Sequence, residues 1–192
     1  MGNERLAAFS DGVIAIVITI MVLELKVPEG DDWASLTQLW PVFSAYVLSF
    51  IYLAIYWNNH HHLLNTVTNV DGLILWANSH LLFWLTLIPA STWWLGRHLA
   101  APLPTAIYGV TLLTPAIAYY LLQRAIVRRQ GPHSVLASAL GSDFKGKISP
   151  VLYAAGIALS FIIPWVSIGL YVMVALMWFI PDRRIEKVLR ET

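Results

Sequence analysis

Few side chains in this sequence are equipped for chemistry, and most of them stand where they are costly. Ser10 and Asp11 head an apolar run, followed by Gly12 and then by uncharged residues as far as Leu23. A carboxylate inside hydrocarbon costs about 2.5–3.5 kcal/mol on insertion scales, so such a group is expected to face a partner or a water-filled path. A second set is Asn58–His62, "NNHHH", with Asp71 nearby in sequence. Three consecutive histidines on a helix diverge by about 100° each and cannot share one ion, and helical zinc ligands sit three or four residues apart. His62 with Asn58 or Asp71 keeps a workable geometry, but hydrogen bonds from the cluster to Ser10, Asp11 or neighbouring carbonyls are the reading preferred. No metal site and no cofactor are expected.

Asn78, Ser79, His80 and Thr86 form a third polar set inside an apolar stretch with Pro89 near its end. Polar groups in lipid must find partners, so this segment is expected to pack against the first two. After the first run, Glu24, Glu29, Asp31 and Asp32 stand against the single Lys26. Clustered carboxylates at a pore mouth concentrate cations; a solvated turn is the alternative. Copies of the chain around one axis would multiply the acidic count.

The sequence holds no GxSxG elbow, HExxH pair, P-loop or dinucleotide glycine turn, so no enzyme is expected. It also lacks the TVGYG stretch of carbonyl-filter potassium channels. A formal net charge of +1 gives no reason to expect nucleic acid, and zero cysteines exclude disulfides and thiolate metal sites.

The elements that must hold these groups are membrane helices. Hydrophobic residues make up 58% and charged residues 12% of the chain, about half the charged share of a soluble domain. Runs long enough to approach 30 Å of hydrocarbon fall at about 6–26, 34–57, 70–95, 103–123, 148–164 and 166–181, with 182–192 as a short basic tail. The expected fold is therefore an all-α integral membrane protein of six spans in one domain covering 1–192. The first run is read as an uncleaved span. Six spans put Arg5, Arg124, Arg128, Arg129, Lys145, Lys147 and the tail basics Arg183, Arg184, Lys187 and Arg190 on one side, leaving Lys26 and Arg97 on the other. That bias predicts cytoplasmic N- and C-termini.

On a helical wheel Gly12, Ile16, Thr19, Ile20, Leu23 and Val27 share one face of the first span. Periodicity does not select this face, because nearly every other position is also apolar. Only Gly12 and Thr19 mark it, and a Thr19 hydroxyl bonded back to the preceding turn accounts for Thr19 without any ligand. Asp11 lies more than a quarter turn away and is expected to point at a neighbouring helix.

"RLAAFSDGVIAIVITIMVLEL" resembles the Arg-x-x-x-Phe-Ser-Asp opening of the transmembrane-protein-175 potassium channels, and "YWNNHHHLL" and "VDGLILWANSHLLFWLTLIPAST" resemble that family's second and third spans. The resemblance is specific over the first half of the chain; the second half matches in hydrophobic layout. It implies a bacterial single-repeat channel in the cell membrane, a homotetramer with the first helix of each subunit lining a central pore. It further implies a gate at Ile16, with Ile20 and Leu23 further outward, and a potassium preference at Thr19. Arg5, Phe9, Ser10, Asp11 and Gly12 then read as pore-helix anchors, with Trp57, His61, Asp71 and Asn78 as candidate support. Permeant potassium and other monovalent cations, and membrane lipid, are the implied partners. A proton-coupled transporter relaying through Asp11, His80 and Asp71 is the alternative, disfavoured by the lack of an internal repeat.

Overall fold

The structure is a computed structural model that describes residues 3–132, 134, 136–137 and 144–179. The expected tail at 182–192 and the end of the run at 166–181 lie outside the described residues. The described part is helical: α1 Asn3–Leu23, α2 Trp33–Thr37, α3 Trp40–Asn65, α4 Gly72–Thr86, α5 Ile88–Arg97, α6 Pro102–Gln130, α7 Phe144–Leu159 and α8 Pro164–Phe179.

Local chemistry sets most of the boundaries. Turns carry the chain from α1 to Lys26, and Pro28 and Gly30 follow. Asp71 caps α4, its Oδ1 accepting from the Ile74 amide at 2.9 Å. Pro89 has no N–H and its ring crowds the carbonyl four residues back, so the long apolar segment from Gly72 breaks at Leu87 between α4 and α5. Pro102 and Pro164 open α6 and α8 at positions where a missing N–H costs nothing. Gly131, at φ +90°, closes α6 in a conformation that favours glycine.

Among the described residues four segments are long and apolar enough to cross a membrane: Asn3–Leu23, Trp40–Asn65, Gly72–Arg97 and Pro102–Gln130. The helices depart from the expected second run. Instead of one span over 34–57, a short α2 precedes α3, and α3 continues to Asn65, so the Asn58–His62 cluster lies inside a helix and not after one. α7 and α8 have 16 residues each, about 24 Å at 1.5 Å per residue.

α6 is the centre of the bundle, in contact with α4, α5, α7 and α8, while α1 packs on α3, α4 and α5. Lipid tails are as apolar as Leu, so burial of aliphatic surface drives helix association weakly in a membrane; close packing and interhelical hydrogen bonds do more. The second half of the bundle supplies both. Ser49 Oγ on α3 lies 2.8 Å from Tyr108 Oη on α6 and 2.6 Å from Thr92 Oγ1 on α5. The Tyr52 hydroxyl donates to the Tyr171 carbonyl on α8. Gly109 and Gly156 let α6 and α7 close on the Tyr171 ring, which a methyl at either position would overlap.

Candidate functional site

α1 divides cleanly along its length. Leu6, Ser10, Ile14, Val17 and Met21, spaced three or four apart, are buried against the rest of the chain. The opposite stripe, Gly12, Ile16, Thr19, Ile20 and Leu23, is exposed, with Ile16 at 58% and Leu23 at 76%. The stripe that periodicity left unmarked is thus the one the chain's own packing leaves open. Thr19 Oγ1 donates to the Ile16 carbonyl at 2.9 Å, as expected of a membrane threonine. That bond consumes the hydroxyl's only proton, so the oxygen lone pairs remain as acceptors on the open stripe.

The buried stripe carries a polar chain that ties three helices. Ser10 Oγ donates to the Leu6 carbonyl at 2.8 Å and accepts from Asn78 Nδ2 at 2.9 Å, while Asn78 Oδ1 is 2.7 Å from His60 Nε2. Ser10 has one proton and has given it to Leu6, so Asn78 must present its amide N–H to Ser10 and its oxygen to His60. His60 therefore carries its proton on Nε2. Its Nδ1 is buried without a hydrogen-bond partner among the described residues.

Asp11 stands at the edge of this face and accepts from Trp57 Nε1 at 3.0 Å. Of the candidate support residues Trp57, His61, Asp71 and Asn78, Trp57 is the one that bonds Asp11. Asn78 is committed to Ser10 and His60, and His61 stacks on Trp57 with ring centroids 6.0 Å apart. Asp71 belongs elsewhere: besides capping α4, its Oδ2 lies 3.6 Å from Arg129 Nε. His80 accepts from Trp84 Nε1 at 2.8 Å on its own helix. Asp11, Asp71 and His80 thus each meet a separate partner among the described residues. Arg5 and Phe9 are exposed in the single chain.

In the acidic connection, Asp32 is a helix cap, its Oδ1 accepting from the Ser35 amide at 2.8 Å. Hydrogen bonds from Ser35 hold its carboxyl below the usual carboxylate range. Glu29 and Asp31 are exposed, and Glu24 is half-buried at the end of α1. Among the described residues no three His, Asp or Glu side chains gather in a way that could hold a metal ion.

The sequence reading passed over His60 in favour of its neighbours. The signal was there: His60 lies seven residues beyond Leu53 and three before Leu63, on the buried face of α3, but only if the helix runs past Trp57.

This architecture has relatives. The family described as endosomal/lysosomal potassium channel TMEM175 matches residues 5–89, the segment that includes α1, the His cluster and Asn78. A potassium channel of Chryseobacterium sp. (strain P1-3) is 58% identical over 191 residues, covering all of both chains. The chain belongs to the TMEM175 family. A potassium channel of Chamaesiphon minutus is 32% identical over 188 residues, 90% of this chain and 91% of that one. The crystal structure of a lysosomal potassium-selective channel TMEM175 homolog from Chamaesiphon minutus matches with a TM-score of 0.81 and 32% identity, over 94% of this chain and 97% of that one. The TMEM175 family and these relatives are channels and not enzymes, and this chain is a membrane protein of that family.

Proposed function

We propose that the chain is one subunit of a potassium-conducting channel of a bacterial inner membrane, a homotetramer whose pore is lined by α1 from each copy. Kinship to proteins named potassium channels supports conduction; the open stripe on α1 is the observation that carries the pore assignment. Each subunit spans the bilayer six times, α7 and α8 forming the last hairpin, with both termini cytoplasmic. The absence of charge from Ile148 to Phe179 and the ten-to-two distribution of Lys and Arg support that topology.

In this reading four Ile16 side chains form an apolar ring that stops ions by dewetting when narrow and passes them when wider, with Ile20 and Leu23 extending the constriction outward. Thr19 offers each ion an oxygen whose proton is already committed to Ile16, replacing part of the hydration shell. Potassium gives up water more cheaply than sodium, so partial dehydration favours potassium modestly. Glu24, Glu29 and Asp31, with Asp32 at the cap of α2, enrich cations at the outer mouth. Arg5, Phe9, Ser10, Asp11 and Gly12, backed by Trp57, His61, Asn78 and the capping Asp71, hold the pore helix to the bundle. No cofactor is involved; lipid and monovalent cations are the partners. Passive flux distinguishes this reading from a proton-coupled transporter.

Liposome recording with potassium and sodium on opposite sides tests the assignment. Thr19→Ala is expected to lower the potassium-to-sodium permeability ratio, and an unchanged ratio removes Thr19 from selectivity.

A further inference from the structure

Two adjoining cavities that α1 does not line lie where the second half of α6 meets the start of α7, and nothing in the pore reading uses them. A groove of about 460 Å³ lies between these helices, with Arg124 and Lys147 on its walls. Its volume falls within the range of small-molecule sites. It adjoins a narrower chamber of about 60 Å³ framed by Tyr56, Tyr153 and Trp178. Tyr120 and Gln123 line both compartments, so the two are adjacent.

Three observations give the site its chemistry. First, Arg124 is held in place: its Nε donates to the Tyr120 hydroxyl at 2.8 Å and its guanidinium sits 5.0 Å over the Tyr120 ring. That bond uses Nε alone and leaves the terminal Nη donors for an anion, while Lys147 is exposed on the facing helix. No carboxylate is found among the described residues lining the groove. Second, Gln123 is 8% exposed, its side chain makes no hydrogen bond among the described residues, and it borders both compartments. An amide at the wall of an open space can bond whatever fills it. Third, aromatic rings make up half of the inner chamber's wall, with polar groups at Asn59 and at Ser149, which takes the Trp178 Nε1 proton at 2.8 Å.

A cationic groove, a polar collar and an aromatic recess, in that order, match an anionic amphiphile. We propose that this cavity binds an anionic phospholipid, its phosphodiester between Arg124 and Lys147, its glycerol ester region against Gln123, and the start of one acyl chain in the aromatic recess. The inference rests on the membrane reading, which puts the α6–α7 connection in the cytoplasmic leaflet where anionic headgroups lie; it does not depend on which helix lines the pore. A free phosphate would satisfy the two cations but leave the recess and the amide unexplained, which favours lipid.

Two cations near a membrane surface contribute about 1 kcal/mol each, which corresponds to a preference of about thirtyfold for anionic over zwitterionic lipid. The full-length protein, delipidated in detergent, is exposed to phosphatidylglycerol and phosphatidylcholine of matched acyl chains, and retained lipid is counted by native mass spectrometry. Phosphatidylglycerol is expected to be retained over phosphatidylcholine by that factor. Arg124→Gln and Lys147→Gln are each expected to cut the preference about fivefold, and the pair to abolish it. Arg128→Gln, exposed at the same end but outside the groove, keeps the preference. Circular dichroism melting identifies any variant that fails to fold, and the single substitutions stand in for the pair if it does.

Equal retention of both lipids by the parent protein, or a preference unchanged in the double variant, overturns the proposal. So does displacement of phosphatidylglycerol by millimolar inorganic phosphate, which would make this a free-anion site. Retention is read without any conduction, so a protein that carries no potassium can still satisfy the test, and one that conducts can fail it.

Discussion

Asn78 is the side chain whose removal should do most damage for its size. Asn78→Leu keeps the branched shape of the side chain, at a larger volume, while deleting both halves of the amide. His60 Nε2 then loses its acceptor, and because Nδ1 already has no partner the ring is left with no hydrogen bond among the described residues. Orphaning a buried donor costs about 1–3 kcal/mol in soluble proteins. Measured interhelical hydrogen bonds in membranes average about 0.6 kcal/mol and reach about 1.7 kcal/mol. Ser10 loses less, since its proton stays on the Leu6 carbonyl and only an accepted bond disappears. The sum is a destabilisation of about 2 kcal/mol. Unfolding by SDS titration, followed by tryptophan fluorescence, measures it. His60→Leu alone should cost a similar amount by stranding the Asn78 carbonyl. The double variant His60→Leu/Asn78→Leu strands neither and should cost no more than the worse single change, a coupling of about 1–2 kcal/mol. His80→Leu, which breaks only an exposed bond to Trp84, should stay within about 0.5 kcal/mol of the parent. Strictly additive costs for His60 and Asn78, or an Asn78→Leu effect as small as that of His80→Leu, would refute the reasoning that the chain is buried and cooperative.

Trp57→Phe keeps the ring against His61 but removes the donor to Asp11; with Trp57 45% exposed, the expected loss is about 1 kcal/mol in the same assay. Asp11→Asn keeps an acceptor oxygen and should cost less than Asp11→Leu; equal costs would make charge, and not the hydrogen bond, the important property. Gly109→Ala pushes a methyl into the buried Tyr171 ring and should cost about 1–3 kcal/mol by overpacking, whereas Gly169→Ala, with nothing within 4 Å of the new carbon, should be neutral or stabilising. The carboxyl of Asp32 is held below the usual range, so its cap on α2 is complete at neutral pH and is lost only as pH falls through that lowered value. Protection of the Ser35 amide against exchange, relative to its intrinsic rate, should fall there, and Asp32→Ala should remove that protection at neutral pH with no further effect below the lowered value.

The sequence alone determined the membrane class, the absence of thiol chemistry and the family-bearing motif around Asp11. All of these follow from composition or from contacts within a few residues. It also placed Trp57, His61 and Asn78 among the candidates to support Asp11, because a carboxylate in lipid requires a partner. Tertiary structure decided which. Trp57, His61 and Asn78 are chemically acceptable alike, and only the packing of α1 on α3 and α4 brings Trp57 to Asp11 and commits Asn78 to Ser10 and His60. The open stripe of α1 was beyond the sequence for a related reason. In a helix apolar on every side, hydrophobic periodicity carries no information, and burial is set by where neighbouring helices happen to lie. The groove at Arg124 and Lys147 was illegible as well, since it exists only where α6 and α7 fail to fill the space between them.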